Sequence, residues 1–123
     1  MEITRLQECR EFLAGDHTIL RELIRPDPVG IKIRYSLAHG RLDTGKRSKR
    51  HRLASTEVYY FIAGHGLFTI GEESSPVEPG VVVYVPPGAV QTLENTGTET
   101  MEFLCLVDPA WRPEDEEVLE SGG

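Results

Sequence analysis

From residue 31 to residue 107 the chain is a series of short extended apolar runs, cut at near-regular intervals by glycine and proline. Ile31, Ile33, Tyr35 and Leu37 alternate with Lys32, Arg34 and Ser36. That is the pattern of a half-buried strand with its odd-numbered positions inward. Further runs follow at 57–62 (EVYYFI), 67–70 (LFTI), 81–85 (VVVYV), 91–94 (QTLE) and 101–107 (MEFLCLV). Gly64-His65-Gly66 reads as a hairpin turn, Glu72–Pro76 as a loop, and Asn95-Thr96-Gly97-Thr98 as a further turn. Pro86-Pro87-Gly88 ends the run before it, because proline has no N–H to give a ladder. Many short strands with this punctuation predict an all-β fold, a sandwich or barrel of jelly-roll type.

The flanks differ. Thr4 and Gln7 fit a capping box, and Leu6, Cys9 and Leu13 follow at helical spacing, with Gly15 as the stop. A short helix is therefore expected over 5–14. Residues 18–24 (TILRELI) read as a strand, ended by Arg25-Pro26-Asp27-Pro28. After Pro109-Ala110-Trp111-Arg112-Pro113 comes an acidic stretch, EDEEVLE, that has room for one helical turn. The 123 residues suit a single domain over 1–123, with the barrel at about 31–107, a helix and strand in 4–24, and a tail over 108–123.

A net charge of -7 argues against a nucleic-acid partner. No apolar run reaches the length of a membrane span. The N-terminal stretch MEITRLQECREFL is too charged for a signal peptide, so Cys9 and Cys105 are expected as reduced thiols in a cytoplasm.

Two stretches carry the chemistry, 45–64 and 80–95. In the first, five, one, three and six residues intervene between Gly45, His51, Leu53, Glu57 and Gly64. In the second, five, one, two and three residues intervene between Gly80, Pro86, Gly88, Gln91 and Asn95. These spacings resemble the paired motifs of the cupin superfamily, G-x5-H-x-H-x3-4-E-x6-G and G-x5-P-x-G-x2-H-x3-N. Fifteen residues lie between them, as in the compact one-domain cupins resembling mannose-6-phosphate isomerases. The resemblance implies a cupin-type double-stranded β-helix, a jelly-roll barrel.

In metal-binding cupins, two histidines and a glutamate of the first motif and a histidine of the second hold one ion. Carried over by position, these are His51, Leu53, Glu57 and Gln91. Leu53 offers no donor atom, and Gln91 offers only an amide oxygen. The implied metal set is therefore His51, Glu57 and Gln91, a weakened site for a divalent ion such as Mn, Fe, Ni or Zn, with water completing the shell. Parity supports a shared face for His51, Leu53 and Glu57 on an unbulged strand. The alternative is a metal-free cluster in which the three polar side chains satisfy one another. Glu57 would then be a buried carboxyl with a raised pKa, able to act as a general acid.

Tyr59 and Phe61 share the inward parity and read as core aromatics or as pocket lining; in the pocket, Tyr59 could bond a ligand through its hydroxyl, with Gln91 and Arg52 as further contacts. The basic run Lys46–Arg52 could draw an anionic ligand, or be a solvated loop neutralised by the acidic stretch 114–120. His39 is a candidate to replace the imidazole missing at position 53. Trp111 could close the barrel mouth or meet a partner subunit, and Cys105 reads as core. Three functional readings follow. One is a metal-dependent enzyme of isomerase, dioxygenase or decarboxylase type, with Glu57 catalytic, acting on a small polar or anionic metabolite such as a sugar or organic acid. The others are a metal-free metabolite-binding module and a non-catalytic dimeric scaffold. A homodimer is expected, since a free strand edge invites pairing.

Overall fold

The structure, a computed structural model, describes residues 1–120. The fold is all-β. Along the chain lie β1 (Glu11–Leu13), β2 (Ile19–Ile24), β3 (Ser36–Leu42), β4 (His51–Leu53), β5 (Thr56–Ala63) and β6 (Gly66–Ile70). They are followed by β7 (Glu73–Val77), β8 (Val82–Val85), β9 (Gln91–Asn95), β10 (Met101–Asp108) and β11 (Glu116–Val118). One sheet has the order β1-β2-β3-β10-β5-β8 and the other β11-β4-β9-β6-β7. All pairings are antiparallel, and successive strands cross repeatedly from one sheet to the other. Among the described residues no ladder joins the two sheets, so the barrel-like body is not closed by hydrogen bonds. No helix among them is long and apolar enough to cross a membrane.

The core fills one end of this body. Phe61, Phe68, Phe103, Met101, Val77 and Leu93 are buried together there. Gly40 permits this packing: it lies opposite Phe103 in the β3–β10 register, and the Phe103 ring occupies the space a Cβ would need. Gly64 turns the β5–β6 hairpin at φ 86° against the Met101 backbone.

Four expectations need correction. The predicted helix at 5–14 is a 3-10 turn at Leu6–Glu8 followed by β1, which pairs with β2. The strand predicted from Ile31 begins only at Ser36, and its even positions face inward: Ser36, Gly40 and Leu42 are buried. Small inward residues carry no hydrophobic signal, which is why the alternation at 31–37 misleads. The expected loop at 72–76 is β7, a polar edge strand on β6 with Pro76 tolerated at the edge. The acidic stretch begins with a 3-10 turn, Pro113–Asp115, but then forms β11 against β4.

Candidate functional site

The other end of the body is hollow. A cavity of about 260 Å³ lies between the two sheets, under the β1–β2 hairpin and the C-terminal strand. Leu13, Leu20, Leu53, Phe103, Val107 and Trp111 supply apolar wall, and Asp16, Glu22, His51, Glu57, Tyr59 and Glu116 supply polar groups. Among the described residues no Lys or Arg lines it. The cavity is thus lined by four carboxyl side chains and one imidazole.

His51 and Glu57 reach it from different sheets. Ala54 and Ser55 turn the chain from β4 into β5, so the two side chains approach the cavity from opposite walls. Both are buried, as sequence parity suggested, although they do not share one strand. Gln91 stands opposite His51 in the β4–β9 register. Its carbonyl oxygen accepts the Tyr59 hydroxyl at 2.8 Å, and its amide NH2 donates to Glu57 Oε1 at 2.7 Å. The hydroxyl donor on one side and the carboxylate acceptor on the other set the amide: carbonyl to tyrosine, NH2 to carboxylate.

Burial raises the Glu57 carboxyl pKa to about 7, against the opposing pull of the Gln91 hydrogen bond and the His51 ring. Burial, with the Glu57 charge nearby, holds the Tyr59 hydroxyl and the Cys105 thiol well above their ordinary values. Cys105 therefore lines the cavity as a neutral thiol rather than a nucleophile.

The metal set implied by the motif resemblance does not fit an ion here. Leu53 is apolar wall. Gln91 does not line the cavity, and the oxygen it would offer is already committed to Tyr59. Donors within reach of one another come from elsewhere: Asp16, His51 and Glu116 bring ligand-type atoms within 4.8 Å of each other. Two of these three were not singled out from the sequence. Asp16 sits in the β1–β2 turn, where His17 at φ 75° and the bonds from Thr18 N and Oγ1 to Asp16 Oδ1 point it inward. Glu116 arrives on β11, opposite Leu53, and its Oε1 accepts from Trp111 Nε1 at 3.0 Å. Only the "GD" before a strand and the acidic run beside Trp111 hint at them, and neither is a chemical motif.

Arg52, expected at the ligand, turns outward and pairs with Glu117. Arg47 and Arg50 of the basic run are likewise engaged by the tail, in line with the neutralised alternative. Arg47 makes two hydrogen bonds to Glu120, at 2.7 and 2.8 Å, and Arg50 N donates to the same carboxylate at 2.6 Å. Arg47 holds the Glu120 carboxyl pKa at about 2. His39 points away from the cavity and pairs with Glu102 at 3.0 Å, because even positions face inward in β3.

The Cupin domain family model matches residues 38–107. An uncharacterised protein of Methanocaldococcus jannaschii is 31% identical over 118 residues, 95% of this chain and 94% of that protein. A glucose-6-phosphate isomerase of Thermococcus gammatolerans is 34% identical over 105 residues, 81% of this chain but 49% of that enzyme, so the chain spans about half its length. The crystal structure of a Cupin 2 conserved barrel domain protein from Salinispora arenicola overlays with a TM-score of 0.76 at 21% identity, covering 93% of this chain and 91% of the other. With both motif stretches inside the matched segment and the two-sheet body around them, this chain belongs to the cupin domain family.

Proposed function

We propose that the protein binds a small, uncharged, hydroxylated metabolite in the cavity and moves a proton on it with Glu57. The observation that carries this reading is the buried chain from Tyr59 through Gln91 to Glu57, which holds one carboxyl in a fixed pose at an apolar wall. Glu57 Oε1 is engaged by Gln91, so Oε2 is the oxygen left for a ligand. A carboxyl with a pKa of about 7 is divided between its acid and base forms near neutral pH. It can take a proton from one ligand atom and return it to a neighbouring one, the balance an isomerisation needs. No outside oxidant or reductant enters.

Charge selects the ligand class. Among the described residues four carboxyl side chains and no Lys or Arg line the cavity, so an anionic sugar phosphate finds no cationic Lys or Arg side chain there. This favours the polar over the anionic half of the expected substrate range. The glucose-6-phosphate isomerase relatives support isomerisation as the reaction class, while the cavity side chains favour free sugars or similar polyols over phosphate esters. The cavity also argues against a scaffold with no ligand. This reading routes no step through an ion.

The test pairs ligand binding with isotope exchange. Free aldoses, ketoses and their phosphate esters are screened by ligand-observed NMR, and binders are incubated in D2O. Uncharged sugars should bind, and deuterium should enter them with wild type but not with Glu57→Gln. Binding confined to phosphate esters would sink the ligand class, and full exchange by Glu57→Gln would sink the role of Glu57.

A further inference from the structure

We propose that Asp16, His51 and Glu116 bind one first-row divalent transition ion, at a site that shares only His51 with the set implied by the motif resemblance. His51 Nδ1 lies 2.8 Å from the Lys49 carbonyl oxygen, which can only accept, so Nδ1 carries the hydrogen. In the neutral ring, Nε2 is then a bare lone pair. It faces Asp16 Oδ2 at 3.4 Å, which is another acceptor, and it has no hydrogen-bond donor among the described residues. His51 is only 3% exposed, and what it presents is turned into the cavity rather than to the outer surface. A positive charge between two such acceptors satisfies both. A proton on Nε2 would do so as an ion pair with Asp16, but the third ligand-type group, Glu116, converging on the same point favours a metal ion.

The surrounding bonds leave the right atoms free. Asp16 Oδ1 is taken by Thr18 N at 3.1 Å and Thr18 Oγ1 at 2.7 Å, which leaves Oδ2 for the cavity. Glu116 Oε1 is taken by Trp111 Nε1, which leaves Oε2. Each of the three side chains thus has an orienting partner behind it, the arrangement that fixes ligands in a metal site. The three donor atoms lie within 4.8 Å of one another, a span that an ion bonded at about 2.0–2.2 Å closes with small side-chain movements. One imidazole nitrogen with two carboxylate oxygens suits Mn²⁺ to Zn²⁺ better than Ca²⁺, whose ligands are oxygens. Two carboxylates and a neutral ring match a divalent charge, and the open cavity side leaves room for water or a ligand hydroxyl.

The site shares the cavity with the proton-transfer reading but takes no ligand from Glu57, so failure of metal binding and failure of Glu57-dependent exchange are distinguishable. Chelator-treated protein is titrated with Mn²⁺, and free Mn²⁺ is followed by electron paramagnetic resonance. One ion per chain is expected, with Mn²⁺ also raising the Tm. Asp16→Asn and Glu116→Gln should each weaken binding at least about 10-fold and abolish the Tm rise. Both variants keep the hydrogen bonds to Thr18 and Trp111, so both should fold, which circular dichroism checks. Glu57→Gln should weaken Mn²⁺ binding far less than either ligand variant, and bound Mn²⁺ should broaden the His51 ring signals in NMR. No binding at millimolar Mn²⁺, an unbroadened His51, or a loss caused by Glu57→Gln and not by Asp16→Asn would each overturn the proposal.

Discussion

At the scale of residues, the Glu57 carboxyl makes a prediction about pH. Its folded pKa of about 7 lies above its ordinary 4.5, so the folded chain binds the proton more tightly than the unfolded one. Stability from this group is therefore present in full below pH 4.5 and is lost as pH rises through about 7. The loss is on the order of 3 kcal/mol at most. Burial also raises Glu116, which adds a slope of the same sign, whereas Tyr59 and Cys105 stay neutral throughout this range. In chelator-treated protein, the Tm should fall between pH 5 and pH 7.5, and Glu57→Gln should flatten much of that fall. A wild-type Tm that is level or rising across the window would contradict the burial argument. Asn95 is a residue of a different kind. Its NH2 donates to the Leu42 and Glu99 carbonyls and its Oδ1 accepts from Gly97 N, each at 2.9 Å, so this motif position holds the turn before β10 rather than meeting a ligand.

At the scale of elements, the basic run and the acidic tail act as a clamp. Ser48 and Lys46 tie the loop to β9 through Ser48 N to Leu93 O, Leu93 N to Ser48 Oγ, and Asn95 N to Lys46 O. The same loop then presents Arg47 and Arg50 to Glu120, and β11 is laid along β4 with Glu116 above the cavity. The backbone bonds Ala54 N to Asp115 O and Leu119 N to Arg50 O complete the attachment. Glu120→Gln should therefore speed hydrogen exchange at the Ala54 and Leu119 amides several-fold while exchange in β5 and β10 holds. Because Glu120 is held at about pKa 2, the clamp should persist in acid and loosen only as pH falls towards that value. Exchange at these amides unchanged by the substitution would show that backbone pairing alone holds β11.

At the scale of the whole molecule, one face of the six-stranded sheet is left uncovered. Tyr60 and Ile62 of β5 and Val82 and Tyr84 of β8 are exposed side by side, Tyr60 lying opposite Val82 in the register. β8 is also the sheet's edge, with its outer backbone groups unpaired within the sheet. We propose that a second copy of this chain covers this face, since an edge strand meeting its own copy antiparallel gives a closed, two-fold interface. Light scattering should return a dimer mass for wild type and a monomer mass for Val82→Glu. A wild-type monomer would leave the face without that partner.

The sequence alone determined the class of fold and the position of its inherited motif. Short apolar runs between glycine and proline turns can bury their faces only in packed sheets, and the spacing of His51, Glu57 and Gln91 survives as a meeting of those residues in space. Tyr59 was legible for the same reason, since inward parity places its ring at the cavity. Tertiary structure decided what the site can do. Asp16 and Glu116 lie at opposite ends of the chain, in a hairpin read as a helix end and a strand read as a solvated tail. Neither carries an apolar period, because exposed edge strands and tight turns are held by backbone bonds and ion pairs that leave no trace in hydrophobic patterning. The same reason hid the inward face of β3, whose Ser36, Ala38 and Gly40 are small because Phe103 and the cavity occupy the space beside them.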